Sequence, residues 1–212
     1  MKAIKELYIV RHGQTDHNAK GIVQGKGVNL PLNEVGRQQA AAFFKAYKHI
    51  PFDIIYTSTL LRAQQTIHSF RDLGIPHESH AELDEISWGE MEGNHQVMEN
   101  SNTFLNLLES WRNGDVDAKP EGGESPRELQ QRQRRFVEKL LQTPHKKILI
   151  SMHGRAIRAL MCTLTGKPLH EMEKFQHVNL TLYKVNLYDD GHFDIELNNE
   201  QGHLKDLQTP SH

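Results

Sequence analysis

The 212-residue chain contains one cysteine, Cys162. An internal disulfide is therefore impossible, and with no Cys-x-x-Cys pair the usual zinc frames are missing, so a reducing, cytoplasmic setting is expected. Charge of one sign is also missing: 25 Lys and Arg meet 27 Asp and Glu, a formal net charge of −2. Without a general basic field, neither nucleic acid nor an anionic membrane is an expected partner, and any bound anion must be gripped locally. Long apolar runs are absent as well. The longest early one, Leu7 to Val10, is too short for a signal-peptide core or a membrane span. The familiar loops fail in detail. Gly25-Lys26-Gly27 continues as Val28-Asn29-Leu30, so GxGxxG is not formed, and Gly166-Lys167 runs into Pro168 where a phosphate loop needs Ser or Thr. There is no HExxH frame and no GxSxG elbow. Nucleotide-loop, zinc-protease and serine-hydrolase chemistry are set aside on these grounds.

What is present suffices for one well-filled domain spanning residues 1–212. Strand and helix patterns alternate. Lys5 to Val10 reads as a strand that breaks at Arg11-His12-Gly13. Asn33 is placed to cap a helix through Gln38, Ala41, Phe44 and Tyr47, stopped by Pro51. Phe52 to Tyr56 reads as a second buried strand, and a helix through Leu60, Ala63, Ile67 and Phe70 follows, ended by Gly74 and Pro76. From 94 to 113 a helix is expected with Val97, Phe104, Leu107, Leu108 and Trp111 inward. Ser125-Pro126-Arg127-Glu128 is a capping-box pattern for a helix reaching Leu141. Ile148 to Met152 is the third strong strand, and Ala156 to Leu164 is helical. Thr181 to Leu187 and His192 to Leu197 form an expected closing hairpin around Asp189-Asp190-Gly191. The reading is α/β: a three-layer sandwich with a mixed, mainly parallel sheet flanked by helices. The stretch from about 93 to 143, with two helices and no strand, is expected to be a helical lid insertion, and the tail beyond about 200 to be loose.

In open α/β sheets, sites form outside the carboxyl ends of the strands. The first strand ends in Arg11 and His12, the second is followed by Arg62 on the opening turn of a helix, and the third ends in His153. Glu85 comes near them in Leu83-Asp84-Glu85-Ile86. Taken singly, each is most simply a surface residue. Two arginines and two histidines gathered at successive strand ends are costly unless an anion sits among them. The remaining histidines are read as ordinary surface residues. Arg132, Arg134 and Arg135 in Gln130 to Phe136 are read as a solvated helix face, since no aromatic platform for RNA interleaves them. Trp88 and Trp111 are assigned to core or lid packing.

Several ordered motifs then carry a resemblance. Arg11-His12-Gly13-Gln14-Thr15-Asp16-His17-Asn18 is similar to the RHGxTxxN pattern of the histidine phosphatase (phosphoglycerate mutase-like) superfamily. Leu32 to Ala40, Tyr56 to Thr66, Leu83 to Gly93, Gly122 to Ser125 and Ser151 to Gly154 resemble the family's further motifs in the same order. Asn33, Thr59 and Met152 depart from the pattern, but no charged group is lost. The resemblance implies a phosphomonoesterase of the phosphatase branch that needs no metal or cofactor. It implies His12 as nucleophile; Arg11, Arg62 and His153 as the clamp on the phosphoryl oxygens; and Glu85 as proton donor, then base for water. Asn18, Gln24, Ser58 and Gly154 are the expected neutral substrate contacts. The partner implied is a small phosphorylated substrate or inorganic phosphate; the oligomeric state is not legible. Two other readings stay open: a cofactor-dependent phosphoglycerate mutase, and a phosphate-binding protein without turnover. Between Asp84 and Glu124 the chain has ten Asp and Glu against only Arg112 and Lys119, which suits a leaving group with little extra negative charge.

Overall fold

The computed structural model describes residues 2–93 and 102–208. Strand β1 (Lys5–Arg11) lies inside a six-stranded sheet with β2 (Ile54–Thr57), β3 (His77–Ser79), β4 (Lys147–Met152), β5 (Leu182–Leu187) and β6 (Phe193–Glu200). The order is β3-β2-β4-β1-β5-β6. The first four run parallel, with Tyr8 opposite Leu149 and Ile55 opposite Leu149 on its other side. Strand β5 runs antiparallel to β1, and β6 closes the expected hairpin. Strand β2 begins at Ile54 rather than Phe52, because Asp53 already turns its carboxylate to the backbone N–H groups of Lys146 and Lys147.

Buried β-strands alternate their faces, and the apolar runs here divide accordingly. Leu7, Ile9, Ile54, Tyr56, Ile148 and Ile150 point to one side. They pack there with Leu129, Phe136 and Leu140 of α6 (Pro126–Gln142) and with Ile157 and Leu160 of α7 (Gly154–Thr165). Tyr8, Val10, Ile55, Leu149 and Leu182 face the other side, against Phe43 of α2 (Glu34–Tyr47) and Phe70 of α4 (His68–Arg71). The result is a sheet between two helical layers, an α/β fold.

Local signals explain the helix boundaries. Asn33 caps α2 by accepting the Gly36 N–H at 2.9 Å. Gly36 is needed there, because a Cβ on it would lie 2.1 Å from the Gln14 carbonyl oxygen. The Ser125–Glu128 capping box starts α6 as expected. The single helix expected over 60–70 is two pieces, α3 (Leu61–Thr66) and α4. Thr66 Oγ1 donates back to the Arg62 carbonyl at 2.8 Å, a bond that bends helices, and the chain turns at Ile67. Helix α5 (Asn102–Arg112) buries Leu108 and Trp111, with Phe104 and Leu107 partly covered. Val97, expected on the same inward face, lies outside the described residues. A short helix, α1 (Asp16–Ala19), follows the β1 exit, and α8 (Lys205–Gln208) ends the described chain.

Candidate active site

The carboxyl ends of β1 and β4 are neighbours, since Arg11 pairs in register with Met152. His12 and His153 therefore sit side by side, rings 5.0 Å apart, and both are buried. Each imidazole has its tautomer fixed. His12 Nδ1 lies 2.7 Å from the Gly13 carbonyl, which only accepts, so Nδ1 carries the proton and Nε2 the lone pair. No hydrogen bond is made by Nε2 among the described residues. For His153 the order is reversed. Arg62 Nε donates to its Nδ1 at 3.2 Å, leaving the proton on Nε2, which donates to Ser58 Oγ at 2.7 Å. Burial, then the Arg62 charge, holds both histidines well below the ordinary pKa of 6.5; Arg11 adds to this at both. Both are neutral at physiological pH.

Arg62 is fully buried at the start of α3 and is held in place by the carbonyls of Val28 (2.5 Å) and Gly25 (3.1 Å). Arg11 has a different environment. Its Nη1 donates to His177 Nδ1 at 3.3 Å, while its Nε is buried with no acceptor among the described residues. Burial lowers both guanidinium groups to about 10, against which the Glu85 charge acts favourably. Glu85 reaches this cluster by a route the sequence does not reveal. Its carboxylate sits on the first turn of α7, accepting from the N–H groups of Arg155 (3.1 Å), Ala156 (2.9 Å) and Ile86 (2.9 Å).

Of the expected neutral contacts, Asn18 accepts from the Thr15 N–H and from Asn179 Nδ2. Gln24 accepts from Thr15 Oγ1 at 3.1 Å, and its Nε2 is buried without an acceptor among the described residues. Ser58 is fully buried against His153. Gly154 leaves room for another ring, since a Cβ there would lie 2.6 Å from His177 Cε1.

Two site residues escape the sequence reading. His177 donates nothing to Arg11, which has only hydrogens to give, so its Nδ1 accepts and its proton is on Nε2, buried with no acceptor among the described residues. Burial and Arg11 push its pKa down to about 2. Asn179 donates to the His12 carbonyl at 3.0 Å. Both stand in the segment before β5, whose first residue Leu182 pairs with Val10, so this segment must run beside Arg11 and His12.

Arg132 corrects the expected solvated face. It is 9% exposed, pairs with Glu124 through Nε (2.8 Å) and Nη2 (3.0 Å), and donates to the carbonyls of Ala81, Glu82, Asp84 and Glu85. Arg134 and Arg135 are exposed, as expected. Trp88 and Trp111 are buried and pack on each other at 5.5 Å. Among the described residues, no group of three or more His, Cys, Asp or Glu is placed to hold a metal ion, and no helix is long and apolar enough to cross a membrane.

With this geometry established, comparison with known proteins is decisive. The family model for histidine phosphatase superfamily, branch 1, matches residues 7–201. The chain belongs to that superfamily. Its relatives include a "putative phosphoserine phosphatase 2" of Hydrogenobacter thermophilus, 31% identical over 87% of this chain and 90% of that protein. They also include a 2,3-bisphosphoglycerate-dependent phosphoglycerate mutase 2 of Gloeobacter violaceus, 30% identical over 80% of each. Among solved structures, YhfR of Bacillus stearothermophilus superposes with a TM-score of 0.84 at 26% identity, covering 95% of this chain and all of that one.

Proposed function

We propose that this histidine phosphatase hydrolyses a phosphomonoester of a small metabolite through a phosphohistidine on His12. The observation that carries the reading is the chemical type of the orphaned groups. Among the described residues Arg11 Nε, Gln24 Nε2 and His177 Nε2 are buried donors without acceptors; His177 bonds to Arg11 at the end of β1, and Gln24 to Thr15 just beyond it. The other buried unpartnered side-chain atoms among the described residues, Gln133 Oε1, Asn186 Oδ1 and His203 Nδ1, are acceptors, that of His203 because its Nε2 donates to the Leu180 carbonyl. Donors that lack acceptors are costly to bury, and an anion relieves them.

The steps follow from the atoms. His12 Nε2 attacks phosphorus as the ester P–O bond breaks, and a protonated Glu85 gives its proton to the departing oxygen. Arg11, Arg62 and His153 hold the phosphoryl oxygens, planar guanidinium forks suiting two oxygens at once. Water then attacks phosphorus, its proton goes to Glu85, and the P–N bond breaks to release phosphate. The relative from Gloeobacter supports a mutase as second reading, which requires return of the phosphoryl group rather than its transfer to water.

Rapid quench of wild type with labelled substrate is expected to trap an acid-labile, base-stable phosphoprotein. It should be absent in His12→Ala, which loses nearly all turnover while keeping the fold, and wild-type activity should survive EDTA. Single-turnover hydrolysis without a phosphoprotein sinks the proposal. Phosphoglycerate isomerisation with 2,3-bisphosphoglycerate, exceeding hydrolysis, moves it to the mutase.

A further inference from the structure

The acidic stretch from 84 to 124 suggests a leaving-group side poor in cations, but the fold brings cations there from outside that stretch. Arg155 and Arg158 project from the first turns of α7, directly after His153. Both side chains are largely buried, and they share one carboxylate, Glu173. Arg158 has further support from the Phe175 carbonyl, to which its Nε donates at 3.0 Å. Arg155 does not. Among the described residues its only side-chain acceptor is Glu173, taken by Nη1.

The position of Arg155 is defined by two contacts. Its backbone N–H donates to the Glu85 carboxylate at 3.1 Å, so the residue stands beside the group proposed to pass a proton to the departing oxygen. Its guanidinium carbon lies 5.6 Å from the Trp111 ring and 5.9 Å from the Trp88 ring. A guanidinium held on aromatic faces uses its flat side there and keeps its N–H edges for anions. One edge meets Glu173; the other nitrogens, Nε and Nη2, have no acceptor among the described residues.

We infer that Arg155 is a specificity residue that binds a carboxylate on the leaving group of the substrate. This rests on the phosphatase reading of the same site and narrows it to phosphomonoesters with a carboxylate a few bonds from the ester oxygen. A carboxylate fits better than a second phosphate, because Glu173 already offsets one of the two cations. Burial, with Arg158 close by, lowers Arg155 to about 9, so its cation gains when such an anion arrives.

The test compares matched esters that differ in the carboxylate: O-phosphoserine against O-phosphoethanolamine, and 3-phosphoglycerate against glycerol 3-phosphate. Wild type is expected to favour the carboxylated member of at least one pair in kcat/KM by about ten- to a hundredfold, the worth of one charge-assisted hydrogen bond. Arg155→Met should collapse that ratio toward one, and Arg155→Lys should retain part of it. A ratio is insensitive to the fraction of folded enzyme, so poor folding of the variant does not mimic the result. Ratios near one in wild type for both pairs, or a ratio unchanged in Arg155→Met, overturn the inference. Hydrolysis of para-nitrophenyl phosphate is measured alongside. If it proceeds while the ratios fail, only the carboxylate seat is lost; if wild type hydrolyses none of these esters, the phosphatase reading and the seat fall together.

Discussion

Two arginines in this molecule, Arg132 buried and Arg11 half-buried, stand in opposite conditions. Arg132 directs its guanidinium nitrogens into a cage of four carbonyls and the Glu124 carboxylate. Arg11, one residue before His12, has one imidazole acceptor among the described residues and a bare Nε. Both are cations largely withdrawn from water, yet among the described residues one is complete within the protein and the other is not. Desolvation must be offset by partners, so the complete arginine holds structure and the incomplete one awaits an anion. Glu85 joins the two regions. Its carbonyl accepts from Arg132, while its carboxylate rests on the α7 amides. The structural arginine thereby fixes the chain that carries the proposed proton donor.

The largest expected effect is on Glu85 itself. If it moves a proton and does not grip phosphate, Glu85→Gln should cut turnover on an alkyl phosphate by about 10²–10⁴. Inhibition by inorganic phosphate should hardly change. On para-nitrophenyl phosphate, whose leaving group needs little protonation, the first step should be spared and a nitrophenol burst should appear. An equal pre-steady-state loss on both esters, or a large loss of phosphate affinity, assigns Glu85 to the scaffold side of the comparison.

Next come the arginines. Arg132→Met leaves Glu124 unpaired and four carbonyls without a donor, and urea unfolding should show a loss of about 3–5 kcal/mol. Arg11→Met removes a cation that the free protein does not fully satisfy. Its unfolding free energy should stay within about 1 kcal/mol of wild type or rise, while phosphate inhibition weakens more than about tenfold, one charge-assisted hydrogen bond or more. Similar stability losses in the two variants would dissolve the distinction.

The contrast also explains what could be read from the chain. His12, His153, Arg62 and the parallel strands were legible because strand ends announce themselves: a β-branched run stops and a charged pair follows. Arg132 was not, since Gln-Gln-Arg-Gln-Arg-Arg looks like a wet face, and its partners are the carbonyls of 81–85, which carry no side-chain signature. His177 and Asn179 lie in irregular chain without periodicity. Only the antiparallel pairing of Leu182 with Val10 brings them to the site, and that pairing is not a local property. Asn33, a departure from the family pattern, was readable as a cap because its amide does the same work as a hydroxyl.

Acidification tests the neutral half of the pocket. His12, His153 and His177 all have pKa values below 6.5 in the folded protein, through burial first and arginine charge second. The unfolded chain therefore binds more protons once pH falls below 6.5. The stability is full above that value and is lost on descent toward the folded pKa values. Each group contributes about 1.4 kcal/mol per pH unit, so the three together should cost about 4 kcal/mol between pH 7.5 and 5.5. His177→Gln should remove about a third of that slope in urea unfolding. A slope unaltered by the substitution would mean that His177 is protonated in the folded state.

The smallest effect moves one residue across the divide. His153 belongs with the satisfied groups because Ser58 accepts its Nε2 proton, although its place beside His12 belongs with the anion. Ser58→Ala turns that N–H into an orphan donor like Arg11 Nε. Stability without phosphate should fall by about 1–3 kcal/mol, the cost of a buried donor without acceptor. Saturating phosphate then supplies the missing acceptor, so the rise in thermal midpoint on adding phosphate should be larger in Ser58→Ala than in wild type. If the variant is less stable but its response to phosphate is no greater, the His153 proton does not reach the anion. His153 would then orient Arg62 through Nδ1 alone, and the clamp would consist of the two arginines.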